Sequence, residues 1–147
     1  MSLDVYLASF DHGSSPDIDW DAVREIVTPF VSLESSDEFA THLVTADGGA
    51  LCFGFGEGGL FSLNRPAGYD IWYVIFDVAR RCRALIMMPD SPFLAAGSEI
   101  VPHLPDGFTT EEEVLVFEDA DAFVGFVMAN HRLAEDRDNR PPSGSQP

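Results

Sequence analysis

The chain contains no lysine. Its eight basic residues are all arginine and stand against 25 aspartates and glutamates, a formal net charge of −17. A surface so poor in positive charge repels phosphate backbones and anionic bilayers over a Debye length of roughly 8 Å, which makes nucleic acid and membrane surfaces poor partners. Long apolar runs are missing too, and none approaches the ~20 residues of a membrane span. The stretch MSLDVYLASF has no basic flank and reads as neither signal peptide nor anchor, so a cytoplasmic location is expected. Cysteine is scarce: Cys52 and Cys82 stand singly in apolar runs, with no second cysteine or histidine at metal-ligand spacing. Buried free thiols are the first reading, and a disulfide between them stays open. The sequence also lacks H-E-x-x-H, paired C-x-x-C, P-loop and G-x-S-x-G patterns, the common signatures of zinc, nucleotide and serine-hydrolase chemistry. No cofactor is expected, and no catalytic or metal-binding residue is assigned.

What is present is a folded composition, 46% apolar and 22% charged over 147 residues, enough for one good core. A single domain over residues 1–134 and a polar, proline-rich flexible tail over 135–147 follow. DVYLASF alternates as a buried strand. Trp20, Val23, Val27, Phe30 and Val31 recur at helical spacing after Asp19, an N-cap, predicting a helix over 19–31 that Pro29 kinks or ends. Residues 38–46 and 50–55 read as a hairpin turning on Asp47-Gly48-Gly49. Leu60–Leu63 reads as a third strand of that group, with residues 64–68 breaking the sheet. From Asp70 an amphipathic stripe through Ile71, Ile75, Val78 and Cys82 predicts a helix to about Arg83, followed by a short strand over 84–88. Residues 90–107 carry three prolines and read as a wrapped surface loop. Residues 113–117 form a last strand, and Asp119 or Asp121 caps a last helix. The expected fold is a single-domain α+β sandwich: a mainly antiparallel sheet of five to six strands, three helices mainly on one face, and a core order resembling a ferredoxin-like βαββαβ unit.

GFGEGG, residues 54–59, matches the G-x-G-x-x-G spacing of dinucleotide sites. That motif needs a helix N-terminus after the glycines, whereas Leu60 onward reads extended and is broken by Pro66; a glycine-rich strand connection is the better reading. Asp17, Asp19 and Asp21 invite a calcium loop, but the sixth position is Ala22 and the twelfth Thr28, where an EF-hand needs glycine and a bidentate glutamate. A hydrolase could be assembled from Ser91 with His42 or His103 and Asp47 or Asp90, without a motif to support it.

The remaining signal is acid. Asp11, Asp17, Asp19 and Asp21 lie on one loop and helix start, Asp47 and Glu57 in the two middle turns, and Glu111 and Glu112 before the last strand. Solvated polar ends account for such clusters; as a site, they would form a docking surface for a basic protein partner. MSLDVYLASF, TADGGA, GGLFSLNRPAG and YDIWYVIFDVARRCRALIMMPDSP together resemble a set of small, acidic, uncharacterised bacterial proteins. These in turn are similar in size and charge to immunity proteins of polymorphic-toxin systems. The resemblance implies a non-enzymatic inhibitor of a basic toxin or nucleic-acid-binding enzyme, and it transfers no site residues. Two other readings stand beside it: a small enzyme or small-molecule binder with a pocket near Asp90–Gly107, and a structural subunit or homodimer.

Overall fold

The computed structural model describes residues 3–37, 39–56, 58–105 and 114–139, with side chains as far as residue 130. Strand β1 (Asp4–Ser9) sends Val5 and Leu7, both fully buried, toward the helices. Ser9 follows them, and its hydroxyl donates to the Cys82 carbonyl at 2.9 Å, which satisfies a polar group that burial would otherwise penalise. Helix α1 (Trp20–Val27) starts where the Asp19 carboxylate accepts the Ala22 N–H. It ends earlier than the predicted 19–31, because the chain tightens into a 3₁₀ turn, Thr28–Phe30, around Pro29, which has no N–H to extend the α-ladder.

A two-residue strand, β2 (Val31–Ser32), pairs with β3 (Ala40–Thr45), and β3 pairs with β4 (Gly48–Phe53). Thr45 faces Gly48, so Ala46 and Asp47 make the hairpin connection and both glycines belong to β4. Of the expected turn Asp47-Gly48-Gly49, only Asp47 lies in the reversal. The real office of the glycines is close approach: a Cβ on Gly48 would lie 2.1 Å from the Ala67 carbonyl oxygen, and one on Gly49 2.0 Å from that of Leu43. Strand β5 (Leu60–Ala67) runs through the predicted break at 64–68. The β4–β5 register shifts between Gly49 and Leu51, and Arg65 takes a φ of +52°, so Pro66 sits beside a bulge, where a missing N–H is tolerated.

Helix α2 (Asp70–Cys82) closes on Arg83, whose left-handed φ of +49° ends it as a glycine usually would. Then come β6 (Ala84–Met87), β7 (Phe93–Ala95), a 3₁₀ segment (Ser98–His103), β8 (Val114–Val116) and α3 (Ala120–Asn139). The predicted loop over 90–107 therefore holds a strand and a helical segment.

The fold is α+β, as expected, but the sheet has eight strands instead of five to six, in the order β2-β3-β4-β5-β1-β6-β7-β8. The two extra strands are β2 and β7, of two and three residues, too short for alternation to register in a sequence. All neighbours are antiparallel except β7 and β8. The inner strands β4-β5-β1-β6, joined through α1 and α2, follow a βαββαβ connection order, with β2-β3 added at one edge and β7-β8 at the other. Helices α1, α2 and α3 share one core with the sheet: Val23 and Val27, Trp72, Ile75 and Phe76, and Phe123 and Val127 all enter it. The Arg81 guanidinium reaches Glu25 at 2.8 Å and the Tyr73 hydroxyl donates to Asp121 at 2.6 Å, tying α2 to each flanking helix. On the opposite face a smaller cluster of Leu85, Ala95, Ile100, Leu104 and Val114 is capped by the 3₁₀ segment. Among the described residues no helix is long and apolar enough to cross a membrane.

Candidate functional site

Three of the predicted acidic residues gather where α1 begins. Asp17 and Asp21 are exposed, whereas Asp19 spends its carboxylate on the α1 cap. Asp21 meets Arg24 at 3.4 Å, a surface pair open to water and therefore of little energetic weight. The glycine-rich stretch lies directly against this end. The Trp20 indole N–H donates to the Gly58 carbonyl at 3.0 Å, and the Trp20, Phe55 and Phe61 rings stack edge to face with centroids 5.3 to 5.9 Å apart. Gly54, Gly56 and Gly58 all have positive φ, the conformations that turn β4 back into β5. Leu60 opens a strand, so the helix N-terminus that a pyrophosphate would need does not follow the glycines. Glu57, Glu111 and Glu112 lie outside the described residues. Phe39, Phe53 and Leu60 are exposed at the same end of the sheet: Ala40 pairs with Phe53, and Leu60 starts the strand after the glycines.

Asp47 works within the fold. Its carboxylate accepts the Tyr69 N–H at 2.7 Å, the Asp70 N–H at 3.3 Å and the Thr45 hydroxyl at 3.0 Å. It thus supplies from the β3–β4 turn the cap that Tyr69 does not give α2. These bonds, the Tyr69 N–H first, hold its carboxyl below the ordinary value of 3.8. A carboxyl lowered in the folded state contributes stability above its unfolded pKa and loses it as pH falls through the folded one. Asp47→Asn should therefore unfold at lower urea than the parent at pH 7, with the gap closing as pH drops through the carboxylate range. Parallel urea titrations at several pH values check this, and a gap that is constant down to acid pH would contradict it.

Asp11 belongs to a cluster that sequence reading missed. The chain from Asp11 to Ser14 forms a tight turn, each end donating its N–H to the other's carbonyl at 2.9 and 3.0 Å, and Gly13 donates to the His103 carbonyl at 2.9 Å. The Asp11 Oδ1 atom lies 2.7 Å from the His12 Nδ1 and 3.2 Å from the His103 Nδ1. The two imidazoles meet edge to face at 4.7 Å, and the Arg83 guanidinium stands 3.1 Å from the His103 Nε2. Ninety-one residues separate the two histidines; the adjacent Asp11-His12 pair was the single local hint.

The hydrolase constellation is not assembled. Ser91 donates its hydroxyl to the Pro92 carbonyl, His103 faces Asp11, His12 and Arg83, and Asp47 faces α2. In the described part of 90–107, Ile100 and Leu104 are buried on Leu85, Ala95 and Val114. Both cysteines are free and buried; burial pushes the Cys52 thiol up to about 12 and the Cys82 thiol, also beside Asp19, up to about 11, which leaves neither nucleophilic near neutrality. Comparison with protein-family models, with curated proteins and with solved structures finds no match for the chain.

Proposed function

We propose that this chain is a non-enzymatic binding protein that covers a basic surface on a partner protein, in the manner of an immunity or inhibitor protein acting in a bacterial cytoplasm. One observation carries the reading: exposed Phe39, Phe53 and Leu60 lie at the end of the sheet where Asp17 borders Gly59 and the Asp21-paired Arg24 borders Gly56. Apolar anchors beside a charged rim are the anatomy of a protein interface. Within a chain of net charge −17, the rim favours arginine- and lysine-rich partners and steers them at raised on-rate. Carboxylates there would stand in for the phosphates of a nucleic-acid-cleaving or nucleic-acid-binding partner.

The test begins with affinity capture and mass spectrometry and continues with the purified pair. Association should slow steeply between low and physiological salt. Asp17→Arg with Asp21→Arg should lower the on-rate by about tenfold or more, and Phe53→Ser should speed dissociation. Asp19 is left intact because its reversal would uncap α1. Salt-independent association, or an on-rate untouched by the double reversal, would remove the proposal. The same exposed side chains favour self-association as the second reading, which sedimentation across protein concentrations separates: a constant monomer mass rules it out.

A further inference from the structure

We propose that Asp11, His12 and His103 form a binding site for a late first-row divalent cation such as zinc. Two imidazole nitrogens converge on one carboxylate oxygen, and the three donor atoms lie within 4.8 Å of one another. Donors around a tetrahedral zinc stand about 3.3 Å apart at ordinary bond lengths, so side-chain rotations that also release the His103 Nδ1 from the His12 N–H at 3.3 Å separate this arrangement from a coordinated one. Two nitrogen donors and one oxygen suit zinc, cobalt, nickel or copper, whereas calcium and magnesium call for oxygen throughout. The frame is already built: the reciprocal Asp11–Ser14 bonds fix the turn, and the Gly13 N–H to His103 carbonyl bond fixes the turn to the 3₁₀ segment. Three protein donors leave a coordination position open to water.

Arg83 gives the proposal its sharpest consequence. An arginine only donates hydrogen bonds, so its contact at 3.1 Å uses the His103 Nε2 as an acceptor, while the Nδ1 faces the Asp11 carboxylate at 3.2 Å and accepts the His12 backbone N–H at 3.3 Å. A cation held at Nδ1 displaces the His12 N–H from it and leaves the ring hydrogen on Nε2, so the guanidinium must swing away. Arg83 is thus a competitor of the metal, through both its charge and its hold on the Nε2 lone pair. A purely structural role for the cluster, stapling the Asp11–Ser14 turn to the 3₁₀ segment, gives Arg83 no such opposing sign.

The test is titration calorimetry of zinc chloride into the tag-free full chain, with cobalt(II) absorption as a second probe. One saturable equivalent is expected. His12→Gln, Asp11→Asn and His103→Gln should each weaken it by more than the roughly ten- to hundredfold that loss of an outer-sphere partner commonly costs, while His42→Gln should not. Arg83→Gly, which suits the left-handed backbone there, should tighten binding several-fold. The His12 side chain is 82% exposed, so His12→Gln keeps the fold, checked by circular dichroism, and decides the matter if His103→Gln proves unstable. Absence of a one-equivalent isotherm, parental affinity in His12→Gln, or weaker binding in Arg83→Gly would each overturn the proposal.

Discussion

Phe123→Ala is expected to remove about 3–5 kcal/mol of unfolding free energy, a large share of the roughly 5–15 kcal/mol that holds a domain together. Phe123 is fully buried, and its ring lies 5.4 Å from that of Phe76, 5.9 Å from Phe117 and 6.3 Å from Trp72. Three rigid rings around the vacancy cannot close over it, so the cavity penalty adds in full to the lost transfer energy. The residue also locks α3 to α2, once Asp119 has capped α3 by accepting the Asp121 N–H at 2.7 Å. Denaturant titration measures the loss, with Phe126→Ala, a half-buried position on the same helix, as the milder companion. A loss below about 1 kcal/mol at Phe123 would mean that α3 does not pack in this way.

A comparable loss is expected from one methyl group at the hairpin. At Gly49 the added carbon would lie 2.0 Å from the Leu43 carbonyl oxygen, in a backbone with φ of +146°; at Gly48 it would lie 2.1 Å from the Ala67 oxygen. Both obstacles are main chain of neighbouring strands and cannot rotate aside, so relief requires that β3, β4 or β5 separate. Gly48→Ala and Gly49→Ala should each exceed the ~1–3 kcal/mol of ordinary overpacking and reduce the yield of folded protein. Gly54→Ala and Gly58→Ala face open space and should cost only the strain of a left-handed alanine, about 1–2 kcal/mol. Thermal melts of the four variants rank them. Equal melting of Gly49→Ala and Gly54→Ala would show that the hairpin register is wrong.

The contrast between these glycine pairs shows what was legible in the sequence. GFGEGG could be read as a strand connection because Pro66 lies too close for a helix to form, a local fact. The close-approach role of Gly48 and Gly49 could not, because the atoms that exclude a side chain there belong to Leu43 and Ala67, on the strands either side of β4. Helices α1, α2 and α3 were visible since each carries a stripe of period 3.6, and the caps Asp19 and Asp119 are neighbours in sequence of what they cap. Asp47 looked like a turn residue and a docking carboxylate; its bonds to Tyr69 and Asp70 depend on how a hairpin and a helix meet. Strands β2 and β7 escaped because two or three residues show no period. Of the site residues, exposed Asp17 and Asp21 could be picked from charge alone, whereas the Asp11, His12 and His103 cluster needs the turn after β1 and the 3₁₀ segment to come together in space.

The position of β1 has a consequence for the order in which this protein can assemble. β1 lies in the middle of the sheet, with Ala8 paired to Leu60 on one side and Ser9 to Ala84 on the other. The β3–β4 hairpin can close by itself within microseconds, but β1 must wait for partners encoded far downstream, and long-range pairings of this kind place a chain among the slower folders. On a ribosome, Asp4–Ser9 leaves the tunnel long before either neighbour exists. Until Ala67 has emerged, Val5 and Leu7 belong to a strand with two open edges, and one edge stays unpaired until Met87 follows; this chain's vulnerability to aggregation or chaperone capture is concentrated in that interval.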